Sequence, residues 1–197
     1  QNMIIQDSRN SLQVRKTIEQ AKDMTMVGHE SGIKSGFLST DERTFVSVST
    51  DGTLREWDLR DGLELNVREA QRKVYASARS TNGRYFATGG TDGLKLWDAT
   101  TSTVIKTWTQ EDVGIIYWID FSLDGDRLTA AGNRGTVWVW DSKTQVQIAS
   151  RQFKDIAIDG LAFCSPTGGR VAVLPHHGET FDVWDVEDAQ PAERIRL

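Results

Sequence analysis

The dipeptide Trp-Asp occurs at Trp57–Asp58, Trp97–Asp98, Trp140–Asp141 and Trp184–Asp185, at steps of 40, 43 and 44 residues. A period of about 40–45 residues is the length of a unit of four strands, and such a unit cannot bury its apolar surface alone. Units of this kind must stack, so each needs apolar residues on both faces. The runs that end in each Trp meet that need. Thr53-Leu54-Arg55-Glu56-Trp57, Leu94-Lys95-Leu96-Trp97, Thr136-Val137-Trp138-Val139-Trp140 and Thr180-Phe181-Asp182-Val183-Trp184 alternate with the period of two that marks a strand.

Turn signals punctuate the same period. Asp51-Gly52, Asp92-Gly93, Arg134-Gly135 and His177-Gly178 precede the four runs, and Gly supplies the positive φ that tight hairpins need. About 18 residues before each Trp a second turn recurs, as Ser39-Thr40-Asp41-Glu42, Ser80-Thr81-Asn82-Gly83, Ser122-Leu123-Asp124-Gly125 and Ser165-Pro166-Thr167-Gly168. Each unit therefore reads strand, turn, strand, turn, Trp-strand, turn, strand. No segment carries a sustained helical apolar period, and the expected class is all-β with antiparallel sheets.

Gly28-His29 followed by Trp57-Asp58 resembles the Gly-His … Trp-Asp pattern of WD40 repeats. The resemblance implies a β-propeller of antiparallel four-stranded blades. It divides the chain into the later strands of an incomplete blade (1–27) and four repeats (28–69, 70–109, 110–152 and 153–197), all in one propeller domain. It also implies a hydrogen-bonded chain of His29, Ser47, Asp51 and Trp57 across the first blade. The second repeat keeps Thr88, Asp92 and Trp97 but has Gln71 in the His slot. The third has Glu111, Ala130 and Arg134 in the polar slots. The fourth has Lys154 and a His176-His177 turn.

Composition narrows the function. The chain has 197 residues and a net charge of −5, with Lys and Arg scattered among Asp and Glu, which argues against a duplex nucleic-acid partner. No apolar run approaches the roughly 20 residues of a membrane helix, so no membrane partner is expected. One cysteine, Cys164, leaves no disulfide framework and no thiolate cage for zinc, as in an intracellular, cytoplasmic protein. His29, Ser47 and Asp51 look like a catalytic triad, but their spacing is that of the blade network, and no Gly-x-Ser-x-Gly occurs. His176-His177 has no further ligands at a metal spacing. The expectation is a protein without metal, cofactor or catalytic residues.

The resemblance places partner binding on the face where the turns between second and third strands emerge. The matching slots are Lys34 and Thr50 in the first repeat, and Lys73, Tyr75 and Thr91 in the second. The third supplies Ile115, Tyr117, Asn133 and Arg134, and the fourth Gly160 and His177. Tyr75 and Tyr117 are the best anchors, because tyrosine offers much contact area at little rotamer cost. The expected function is a non-catalytic scaffold that binds other proteins; the alternatives are a regulatory or structural appendage in a larger multidomain enzyme and, more remotely, a propeller enzyme. The chain begins at Gln1 and its first blade is incomplete, which suggests a piece of a longer propeller or self-association through open blade edges.

Overall fold

The computed structural model describes residues 2–6, 11–16, 24–39, 42–153, 158–163, 165–175, 180–188 and 193–196. The chain divides into two compact units, Gln1–Val74 and Tyr75–Leu197. In the first, β1 (Asn2–Gln6), β2 (Ser11–Lys16) and β3 (Met24–Val27) make a three-stranded sheet. Beside it in sequence, β4 (Ile33–Leu38), β5 (Thr44–Ser49), β6 (Thr53–Asp58) and β7 (Glu64–Glu69) make a four-stranded one.

Three more four-stranded sheets follow. One contains β8 (Val74–Arg79), β9 (Tyr85–Gly90), β10 (Gly93–Asp98) and β11 (Thr103–Thr109). After the single turn α1 (Gln110–Val113), the next contains β12 (Ile116–Phe121), β13 (Arg127–Gly132), β14 (Thr136–Asp141) and β15 (Gln147–Gln152). The last contains β16 (Ile158–Phe163), β17 (Arg170–Pro175), β18 (Thr180–Asp185) and β19 (Glu193–Arg196). In every sheet the strands lie in chain order and successive strands are hydrogen-bonded neighbours. Such meanders let each Trp-strand sit third and be covered on both faces.

The period-two pattern of β14 shows how the sheets stack. Trp138 and Trp140 point to one side and join Ala87, Leu94 and Leu96 of the preceding sheet. Val137 and Val139 point to the other and join Val171, Val173 and Trp184 of the following one. Ala130 and Ala131 divide between the same two clusters. In the first unit Met26 packs with Ile33, Phe45, Trp57 and Leu59. Trp57, Trp97 and Trp140 are fully buried; at about 150–250 Å² each, their burial contributes up to ~5 kcal/mol apiece.

The turn chemistry is local and repeated. Asp98 accepts the backbone N–H groups of Thr100 and Thr101, and Asp141 those of Lys143 and Thr144, so the Asp of each pair builds the turn into the outer strand. Ser39, Ser80, Ser122 and Ser165 each accept the N–H five residues on, closing the preceding hairpin. Gly93 has φ +109°, and a Cβ there would stand 2.1 Å from the Trp108 carbonyl, so this turn accepts only glycine. No helical apolar period announces α1. Its one turn is held by the Asp112 carboxylate, which accepts the Thr109 N–H at 2.8 Å and hydroxyl at 3.0 Å.

Candidate functional site

The first blade contains a closed polar chain. The Trp57 Nε1–H donates to Ser47 Oγ at 2.8 Å, and Ser47 Oγ lies 2.7 Å from His29 Nε2. His29 Nδ1 lies 2.8 Å from Asp51 Oδ2. The carboxylate can only accept, so Nδ1 carries the ring proton and Nε2 accepts from the serine hydroxyl. Asp51 also accepts the Thr53 hydroxyl at 2.7 Å and the backbone N–H groups of Thr53 and Glu30 at 2.8 and 3.0 Å. Burial pushes the Asp51 carboxyl up, but the hydrogen bonds from Thr53, His29 and Glu30 outweigh it and hold it at about 2. Burial lowers the His29 pKa against the opposing pull of Asp51, keeping the ring neutral.

Later blades replace this chain piece by piece. In the second, the Trp97 Nε1–H donates to Thr88 Oγ1 at 2.9 Å, while Asp92 is half-buried at the β9–β10 turn. In the third, Ala130 stands in the hydroxyl slot and belongs to the buried cluster that holds Trp108, Trp138 and Trp140. Trp108 lies 4.7 Å from Trp140, and Trp138 stacks 6.3 Å from it. Arg134 bonds elsewhere: its guanidinium donates to the carbonyls of Glu111 and Gln110 at 3.0 and 3.1 Å, holding α1 against the β13–β14 turn. Asn133 Oδ1 accepts the Ile115 N–H at 2.9 Å and ties down the same loop. In the fourth, Trp184 is buried, while Lys154, Cys164, His176 and His177 lie outside the described residues.

The first strand of three blades carries a β-bulge. The ladder passes from Ile33 to Ser35, from Ile116 to Trp118 and from Ile158 to Gly160. The residues left over are Lys34, Tyr117 and Asp159, all exposed. A bulge leaves one residue out of the pairing and re-aims its side chain. This differs from the slot that spacing assigns in the fourth repeat: Gly160 is paired with Leu174, and Asp159 is the bulged residue. The motif Ile-x, shared by Ile33-Lys34, Ile116-Tyr117 and Ile158-Asp159, is the signal that locates it.

The other slots vary in availability. Lys73 is exposed, Thr91 and Ile115 are half-buried, and the Thr50 hydroxyl bonds to that of Ser31 at 2.7 Å. Tyr75 and Tyr117 come together, with ring centroids 5.1 Å apart and planes tilted by 39°. Beside them Trp118 sends its Nε1–H across to the Ile158 carbonyl at 2.8 Å. Asp120 Oδ2 accepts the Phe163 N–H at 2.8 Å, and burial pushes its carboxyl up.

The comparisons agree with this architecture. The family model described as WD domain, G-beta repeat matches residues 21–58 and 102–141. The chain is 28% identical over 176 residues to the U3 snoRNP-associated protein-like EMB2271 of Arabidopsis thaliana, covering 77% of this chain and 36% of that protein. It is 25% identical to the small ribosomal subunit protein RACK1 of Brassica napus, covering 59% of this chain and 41% of the relative. It is 30% identical to the guanine nucleotide-binding protein subunit beta-1 of Nicotiana tabacum, covering 58% and 33%. The matched region thus spans well under half the length of each of these relatives. The solved structure of U3-55K superposes with a TM-score of 0.71 at 18% identity, over 87% of this chain and 54% of that one. The chain carries WD40 repeats at residues 21–58 and 102–141 and has the all-β fold of a β-propeller, with four antiparallel four-stranded sheets preceded in sequence by a three-stranded one.

Proposed function

We propose that the chain is a non-catalytic scaffold that holds other proteins, with Tyr75 and Tyr117 as the anchor of its binding surface. The observation that carries this reading is the tyrosine pair itself: two rings 5.1 Å apart, with Tyr117 lifted onto a bulge and 38% exposed. An aromatic pair on a rigid strand offers contact area at small entropic cost. The non-catalytic reading is supported by Ser47, whose hydroxyl is buried, accepts an indole N–H and is engaged with His29. A nucleophile needs an open approach that this serine lacks.

The relatives whose names place them with a small nucleolar ribonucleoprotein, a ribosomal subunit and a guanine nucleotide-binding protein support an assembly role inside the cell. No helix among the described residues is long and apolar enough to cross a membrane. The test is quantitative affinity capture from cell extract with the parent chain, a Tyr75→Ala/Tyr117→Ala variant, and an outer-strand control, Leu65→Ser/Val67→Ser. The reading predicts that the tyrosine variant loses most specific partners and the control keeps them. Equal recovery by all three would overturn it.

A further inference from the structure

An acidic residue three positions after a Ser or Thr is a charge pattern that acid-directed protein kinases read, and it occurs here at Ser39, Thr53 and Thr109. The structure separates the three. Ser39 Oγ is half-buried and accepts the Thr44 N–H at 3.0 Å, and the half-buried Thr53 hydroxyl donates to Asp51 at 2.7 Å. Both brace turns between strands. Thr109 is exposed, as are Gln110, Glu111 and Asp112 after it. It ends β11, an edge strand laddered to β10, and its backbone is extended at φ −73° and ψ 169°. A kinase binds its acceptor segment in extended form, and here only the single turn α1 has to give way.

We propose that Thr109 is a phosphorylation site for an acid-directed protein kinase, and that its phosphate opens the turn α1. The threonine Oγ1 attacks the γ-phosphorus of ATP. The new O–P bond forms as the bond to the β–γ bridging oxygen breaks, ADP leaves, and the hydroxyl proton passes to the kinase's carboxylate base. In the unmodified chain the Thr109 hydroxyl donates to Asp112 Oδ2 at 3.0 Å, and its N–H donates to the same oxygen at 2.8 Å. The phosphoryl group removes that hydroxyl donor and sets a charge of about −2 against the carboxylate. Two of the turn's remaining ties are the Gly114 N–H, which donates to the Gln110 carbonyl at 2.9 Å, and the Arg134 guanidinium on the Gln110 and Glu111 carbonyls. Both end on the two residues between the phosphate and Asp112, so repulsion across that span pulls on both. The loop so released leads through Ile115 into β12.

The test is phosphorylation of the full chain by casein kinase II with ATP. Mass spectrometry locates the site, and amide hydrogen exchange reads the opening of the turn. Incorporation is expected at Thr109, with Thr109→Val abolishing it and Thr109→Ser keeping it. Glu111→Gln/Asp112→Asn alters only exposed residues and should slow it at least about fivefold. In the phosphorylated chain the Gly114 amide should exchange at least about fivefold faster than in the unmodified one, while the amides of β14 should not change.

No phosphate at Thr109 of the folded chain, or a rate that ignores the loss of Glu111 and Asp112, would overturn the proposal. So would Gly114 exchange that is unchanged or slower, since the phosphate would then cap the turn and not open it. Phosphate on Ser39 or Thr53 in place of Thr109 would overturn it too, by showing that exposure does not select the acceptor. The proposal stands apart from the tyrosine surface, because capture from extract tests Tyr75 and Tyr117 whatever the state of Thr109.

Discussion

The Ser47 hydroxyl receives the Trp57 indole N–H at 2.8 Å inside a fully buried site. A serine, a histidine and an aspartate in the order of a hydrolase triad are here the interior bracing of a sheet. Ser47→Ala would leave the Trp57 donor and His29 Nε2 unsatisfied together, at a cost of about 2–4 kcal/mol. Ser47→Thr keeps the hydroxyl and mimics Thr88, which accepts the Trp97 N–H in the next blade; it should cost about 1 kcal/mol or less. Urea unfolding of the two variants measures the difference.

The same network makes stability depend on pH. The His29 pKa lies below 6.5 in the folded chain, chiefly through burial. Below about pH 6.5 the unfolded chain binds a proton that the folded chain resists, so stability falls as pH drops. Asp51, held at about 2 against an ordinary 3.8, adds a second loss as pH falls through that lower window. His29→Gln should lower stability at about pH 7.5 and flatten its decline towards about pH 5.5. Urea midpoints at both pH values give the slope.

Asp120 behaves in the opposite sense. Burial raises its folded pKa above 3.8 despite the hydrogen bonds from Phe163 and Phe121. The folded chain then favours the protonated acid, and this group's contribution to stability grows as pH falls through the folded pKa. Asp120→Asn retains an acceptor for the Phe163 N–H without the buried charge. It should match or exceed the parent in thermal stability at neutral pH and lose that advantage in acid.

Gly93 and Gly169 test the turn geometry. Gly93→Ala places a methyl group against the Trp108 carbonyl at positive φ and should cost about 3 kcal/mol. At Gly169 the nearest atom to a Cβ is Ser165 Oγ at 3.6 Å, and alanine should change stability by less than about 0.5 kcal/mol. Thermal unfolding midpoints of the two variants provide the comparison.

Strands and turns were legible because their signals are local. Trp138 and Val139 disclose two buried faces through alternation alone, and Asp92-Gly93 marks its own hairpin. The tyrosine pairing and the acidic bulge were harder to read. Stepping 20 residues on from Trp140, as from Trp97 to Tyr117, lands on Gly160, because the segment between one Trp and the next bulge varies in length from blade to blade. Arg134 reads as an open cation in the sequence, since nothing local announces that α1 will turn its carbonyls towards it. Contacts between segments that meet only after folding carry no periodic signature.

Site-specific photo-crosslinking tests the central claim most directly. A benzoylphenylalanine replaces Tyr117 in one protein and Val146, an exposed residue just before the outer strand β15, in another. Both are irradiated in cell extract and the adducts identified by mass spectrometry. The account predicts discrete protein adducts at position 117 that disappear when Tyr75→Ala is added, with none of the same adducts at position 146. The same adducts at both positions, or none at 117, would contradict it.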